Sequence, residues 1–243
     1  MDFMFTIPQI AAAIIIAAMG ALVQSAVGFG LGPLSVPLLL LVDPAFVPGP
    51  VLMNGLVLTI FMFKREINDV DYFGLKWATI GRFMGTIIGA ALLYIMPKES
   101  LKLYFGVAIL IAVSFSWMGF SLPFKKSTLV SAGIISGFMG TTVSIGGPPM
   151  ALVYQNMSGP KIRSTLSGIF GIGTIMGVIS LTVIGYFGQK EIYASIILLP
   201  GLLSGFALSK HTFTWLDKGF LKPAILVLSS FAALIVIVSY FSG

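Results

Sequence analysis

The chain has 243 residues, 57% hydrophobic and 9% charged, with a mean hydropathy of +1.04 and a formal net charge of +6. A soluble domain carries about a quarter charged residues, so 14 basic and 8 acidic side chains exclude a water-covered surface, and with it nucleic-acid binding and cytosolic enzymology. The absence of cysteine excludes disulfides, thiolate metal sites and thiol nucleophiles.

An integral membrane protein is the class that remains, and a membrane-spanning helix needs about 20 apolar residues. The first such run, 5 to 27, carries Asp2 ahead of it and no lysine or arginine, unlike a secretory signal, and reads as a mature transmembrane segment. Further runs lie near 45 to 63, 73 to 96, 101 to 120, 164 to 187, 191 to 209 and 223 to 242. Two regions differ. After the first run a glycine-rich break, Gly28-Phe29-Gly30-Leu31-Gly32-Pro33, is followed by only about nine apolar residues, Leu34 to Val42. The run that starts near Ser127 stops in the same way at Ser144-Ile145-Gly146-Gly147-Pro148-Pro149, with a short stretch from Met150 to Tyr154 behind it.

Sliding the chain against itself exposes a repeat. At an offset of 115, Gly32-Pro33 falls on Gly147-Pro148; at 116, residues 85 to 115 fall on 201 to 231 with ten identities, among them Gly85, Gly89 and Lys102 on Gly201, Gly205 and Lys218. The reading is two membrane repeats, 1–120 and 127–243, joined by a linker at 121–126. If both broken segments crossed the bilayer, six basic residues would face one side and seven the other; if both fold back as hairpins, ten lie inside against Lys98, Lys102 and Lys190 outside, with Arg82 within a span. The positive-inside rule prefers the hairpins. The expected fold is therefore an all-α polytopic membrane protein of eight hydrophobic segments. Each of its two inverted repeats is one broken, re-entrant helical hairpin plus three transmembrane helices, and both termini lie outside.

Interrupted backbone at membrane depth leaves polar groups that cost several kcal/mol each in lipid, so it persists only inside protein or beside water. Glycines 28, 30, 32, 146 and 147 admit close approach, and Pro33 and Pro148 suit the first turn of a short helix, where no amide donor is needed. Each helix start projects unpaired amides and about half a positive charge. Two of them arriving from opposite faces make a midplane site for an anion, with Gly30, Gly32, Pro33, Gly146, Gly147 and Pro148 at its centre. Neutral donors flank the breaks: Gln24, Ser25 and Ser35 in the first half, Thr141, Thr142, Ser144, Gln155 and Asn156 in the second, and Asn54 in the following run. Each hydroxyl also has the ordinary option of a carbonyl in its own helix. Arg82, five residues past Trp77, either lies within the membrane as a substrate ligand or snorkels to its surface. Arg163 either attracts the anion on the cytoplasmic side or sets topology. The four-residue spacings Gly81-Gly85-Gly89, Gly133-Gly137, Gly173-Gly177 and Gly201-Gly205 read as helix contacts.

All eight carboxylates, Asp2, Asp43, Glu66, Asp69, Asp71, Glu99, Glu191 and Asp217, map to ends or loops, as does His211, the one histidine. A buried proton relay, a cation-selective ring, a metal site and a serine-hydrolase base are all missing from the spans, and no cofactor is expected.

Taken together, Gly28 to Pro37 with apolar Leu38 to Leu41, its partner Gly140 to Pro149, the Lys161-Ile162-Arg163 start of the next helix and the paired Gly-xxx-Gly helices resemble the sulfite exporter family of TauE/SafE type over essentially the whole chain. The resemblance implies a multi-pass inner-membrane exporter of sulfite or an organosulfonate such as sulfoacetate, without catalysis. Gly32-Pro33 stands where the family often runs several glycines together. The expected partners are the small anion and the lipid bilayer, with homodimerisation left open. The competing readings are a membrane enzyme or assembly subunit of sulfur metabolism, and a carrier of an uncharged or cationic metabolite.

Overall fold

The computed structural model describes residues 5–117, 121–216 and 221–241, and among them every regular element is helical. The readings that rest on Asp2, Asp217 and Lys218, and on the side chains of Lys98, Lys102, Lys210, His211 and Lys222, lie outside the described residues.

Among the described residues ten α-helices follow one another: α1 Ile7–Val27, α2 Leu31–Val42, α3 Gly49–Arg65, α4 Tyr72–Ile95, α5 Leu101–Trp117, α6 Lys126–Val143, α7 Gly147–Tyr154, α8 Gly159–Val183, α9 Gln189–Leu216 and α10 Leu221–Phe241. Sequence chemistry fixes several of their ends. Thr6 caps α1 in a reciprocal box with Gln9, and Gly28 stops that helix in the left-handed region at φ 101°. Helix α2 starts at Leu31. Gly32 and Pro33 form its first turn, and the amide of Leu31 donates to Gln24 Oε1 at 3.1 Å. Likewise α7 takes Gly147-Pro148-Pro149 as its first turn, where the prolines' missing amides are not needed.

Among the described residues five helical stretches are long and apolar enough to cross a membrane: Ile7–Val27, Pro44–Arg65, Tyr72–Ile95, Gly159–Val183 and Gln189–Ser209. The runs expected at 101 to 120 and 223 to 242 form α5 and α10. Large apolar side chains face outward, Phe83, Ile87 and Ile88 on α4 and Ile175 and Ile179 on α8 among them. That surface suits lipid and not water.

Both broken segments reverse direction. Gln9 near the start of α1 donates to the carbonyl of Val42 at the end of α2, and Ser35 Oγ donates to that of Ile16, so α2 runs back along α1. In the second half the amide of Leu122, ahead of α6, donates to the carbonyl of Leu152 near the end of α7, and Ser136 Oγ on α6 donates to that of Gly146. At 1.5 Å per residue α2 spans about 18 Å and α7 about 12 Å, both less than the ~30 Å hydrocarbon layer.

The most extensive packing joins α4 to α6 and α1 to α9, followed by α3 with α8 and α5 with α10; α3 also meets α9, α4 meets α8, α2 meets α10 and α5 meets α7. Exchanging α1–α5 for α6–α10, element by element, maps this set of pairs onto itself. Backbone lies on backbone where glycine allows it. A Cβ on Gly81 or Gly85 would stand 2.1 or 1.9 Å from the carbonyl oxygens of Val130 and Ile134, and one on Gly201 or Gly205 would stand 2.1 Å from those of Ile14 and Ala18. The Gly-xxx-Gly spacings of α4, α6 and α9 are thus helix contacts. Gly173 and Gly177 of α8 meet side chains of neighbouring helices instead of backbone: the first faces the guanidinium of Arg82, the second Thr141 Oγ1 and Leu52.

Candidate functional site

The two breaks touch one another. A Cβ on Gly32 would lie 2.2 Å from the carbonyl oxygen of Ser144, and one on Gly147 would lie 2.9 Å from Cβ of Phe29. Each break holds unusual backbone: Gly30 has φ 145°, and Ser144 has φ 57°, with its Oγ donating to the carbonyl of Pro48 at 2.8 Å. Ser144 is the one non-glycine with positive φ among the described residues, and its bond to Pro48 ties the second break to the start of α3.

Where the breaks meet there is a cavity of about 50 Å³. The first break supplies Gln24, Phe29 and Gly30 to Pro33; the second supplies Gly140, Ser144, Gly146 and Gly147. Helix α3 closes a side with Val51, Leu52, Gly55 and Thr59, α8 with Phe170 and Thr174, and α4 with Arg82. One water occupies about 10–15 Å³ on this measure, so the space admits roughly three to five water-sized groups, the size of a four-atom oxyanion. The amides of Gly32 and Gly147 have no partner among the described residues. Pro33, Pro148 and Pro149 have no amide to offer, so each helix start presents fewer donors than an ordinary one.

Arg82 supplies full positive charge. It is 2% exposed, and its Nη1 donates to Ser136 Oγ at 2.6 Å and, more distantly, to the Ser136 carbonyl at 3.5 Å. Its Cζ lies 5.3 Å from the centre of the Phe170 ring, a cation–π arrangement, while Nε is buried without a hydrogen-bond partner. Of the two positions open to Arg82 from sequence, the interior one is occupied. Among the described residues no carboxylate lines the cavity, so this charge stands uncompensated beside it.

Of the residues expected at the site, Gln24, Gly30, Gly32, Pro33, Arg82, Ser144, Gly146 and Gly147 line the cavity; the others do not. Ser35 is committed to the Ile16 carbonyl, Thr142 Oγ1 to that of Phe138 at 2.9 Å, and Thr141 Oγ1 to Thr86 Oγ1 at 3.2 Å. Ser25 is fully buried with Oγ unpartnered. Asn54 bridges α3 to α9, donating to the carbonyls of Pro50 and Ser195 at 3.0 Å each. Pro148 and Gln155 line a separate, mostly apolar pocket with Val27 and Phe115. Arg163 grips Glu66 through Nε at 2.9 and 3.0 Å and Nη2 at 2.7 Å. It joins the start of α8 to the turn after α3, and Arg65, 3.7 Å from Glu66, reaches the carbonyl of Ser25 at 2.7 Å. Thr59, Gly55, Phe170 and Thr174 were not anticipated. Thr59, Gly55 and Thr174 showed only as small and hydroxyl residues inside otherwise apolar runs, and Phe170 as one more apolar residue in such a run.

Compared with known proteins, the chain matches the family model described as "Sulfite exporter TauE/SafE" over residues 12–236. No curated protein and no solved structure matches it.

Proposed function

The chain belongs to the sulfite exporter TauE/SafE family, and from that membership together with the cavity we propose that it carries a small sulfur oxyanion across the cytoplasmic membrane. The coarse reading, a multi-pass membrane transporter of sulfur anions, follows from the family and from the five apolar helices. Within it we assign the cavity between the breaks as the binding site, at the membrane midplane, reached alternately from either side. The arrangement of two inverted repeats, 1–120 and 127–243, belongs to this proposal; the exchange symmetry of the helix pairs and the fold-back of both broken segments support it.

One observation carries the assignment: a single buried guanidinium beside two helix starts, with no carboxylate on the wall. Desolvated positive charge of that kind repels amines and metal cations and is best satisfied by an anion with several acceptor oxygens. The cavity volume favours sulfite, with four heavy atoms, over the larger sulfoacetate. Because no acid or histidine lines the site among the described residues, coupling falls to the substrate's own proton, to a group outside the cavity, or to no ion at all.

The test is counterflow in liposomes with sulfite, sulfoacetate and a primary amine. The expected order is sulfite first, sulfoacetate weaker and the amine excluded. An Arg82→Gln variant, folded and inserted, is expected to bind sulfite about 10- to 100-fold more weakly, the effect of losing hydrogen bonds to a charged group. Amine uptake, or sulfite affinity unchanged in that variant, refutes the assignment.

A further inference from the structure

Resting on the anion-carrier reading, we propose that Ser136 is a positioning residue that fixes the charge of Arg82 and couples it to the geometry of the second break. Ser136 sits on α6 with no exposed surface. An arginine has only donors, so the serine oxygen must accept from Nη1, and its one proton is left for the carbonyl of Gly146, the residue that caps α7. The hydroxyl is thereby held in one orientation, and a continuous path runs from the cation through the serine to the break.

The guanidinium is confined as well as bonded. A Cβ on Gly146 would lie 2.7 Å from Nη1, one on Gly140 3.1 Å from Nη2, and one on Gly173 only 1.9 Å from Nε. Three glycines on α6, the break and α8 leave a slot that a single methyl group would fill, with Phe170 across it. Yet Ser136 is the only hydrogen-bonding partner of the guanidinium among the described residues, and Nε has none. A cation so tightly placed and so sparsely bonded is a preorganised donor with capacity left for a ligand. An anion that draws on Arg82 therefore also draws on the α6–α7 hairpin. A change in that hairpin, in turn, alters how the anion is held.

The experiment uses the purified full-length chain in two arms. In the first, sulfite-dependent thermal stabilisation gives the half-saturating concentration. Ser136→Ala is expected to raise it about tenfold or more, Ser136→Thr to restore most of the affinity, and the Ser136→Ala/Arg82→Gln double variant to be no weaker than Arg82→Gln alone, because the two act as one unit. In the second arm, hydrogen exchange without added anion is expected to speed up over residues 144–150 in Ser136→Ala, since the Gly146 carbonyl loses its donor. Wild-type affinity in Ser136→Ala, or losses that add in the double variant, overturns the proposal. If wild type itself shows no response to sulfite, the anion-carrier reading falls. The exchange arm then decides alone, and unchanged protection over 144–150 overturns the positioning role. Should Ser136→Ala not fold, Gly173→Ala displaces the same guanidinium without touching the serine; it is expected to weaken sulfite binding to the same extent, and wild-type affinity there has the same refuting force.

Discussion

Two alanine substitutions on the wall of one cavity separate contact between the breaks from mere loss of space. A methyl on Gly32 would lie 2.2 Å from the carbonyl oxygen of Ser144 and 3.1 Å from Cα of Ile145. Carbon-to-oxygen contacts begin near 3.3 Å, so the two breaks must part by about 1 Å, and because both partners are backbone no rotamer change relieves them. Overpacking of this kind costs about 1–3 kcal/mol. A methyl on Gly55 has Leu31 Cδ2 at 3.8 Å as its nearest neighbour, an ordinary contact, and in the interior of α3 alanine is favoured over glycine by about 0.5–1 kcal/mol. For a chain of this size 1 kcal/mol moves the midpoint by about 2–4 °C. Gly32→Ala is therefore expected to lower the thermal midpoint by roughly 2–12 °C and abolish saturable sulfite uptake. Gly55→Ala is expected to hold or raise the midpoint by up to about 4 °C, with sulfite affinity reduced a few-fold by the smaller cavity. Thermal unfolding in detergent and counterflow in liposomes read the two effects. If Gly32→Ala matches wild type in both assays, the breaks do not meet as described; if Gly55→Ala is as damaging as Gly32→Ala, lost volume explains both.

The remaining predictions concern the periphery of the site and the topology. Arg163→Gln is expected to destabilise the chain by about 1–3 kcal/mol by leaving Glu66 with a mostly buried charge, the two side chains being 16% and 14% exposed, while leaving the half-saturating sulfite concentration unchanged; a shifted concentration would put Arg163 on the substrate's path. Reporter fusions at the C-terminus and in the loop at Lys161 are expected to read outside and inside respectively, and the same side for both would sink the inverted arrangement.

The breaks were legible in sequence because glycine and proline act locally: nothing distant is needed to see that Gly28 to Pro33 cannot continue α1. The partner of Arg82 was not legible. Ser136 lies 54 positions away, on a helix whose register against α4 is set by Gly81, Gly85, Gly133 and Gly137, and no local pattern distinguishes it from Ser35 or Thr142, which bond carbonyls. Gly173 illustrates the same limit from the other side. Its spacing to Gly177 is that of a helix contact, but the atom it makes room for belongs to an arginine on α4. Thr59 and Thr174 carried no more signal than Thr141, which the fold turns away from the cavity toward Thr86.

The packing also bears on which parts of the chain move as units. A carrier built of two repeats suggests at first that residues 1–120 rock against 127–243. The closest contacts run the other way: α4 is set backbone to backbone on α6, and α1 on α9, so each weld joins helices from opposite halves. Packed cores resist shear, and a motion separating the sequence halves would have to break both welds. Following the contacts instead, α4, α6 and α7 form one group and α9, α1 and α2 another, with α5 against α7, α10 against α2, and α5 packed on α10 across the two. Each group contains one broken segment whole, and α3 and α8 pack on each other between them. The cavity lies where the two breaks face each other, Phe29 to Gly147 and Gly32 to Ser144, and both helices between the groups line it as well. A division between these groups therefore passes through the cavity and spares both welds. On that division Arg82 and Ser136 fall in the same group as α7.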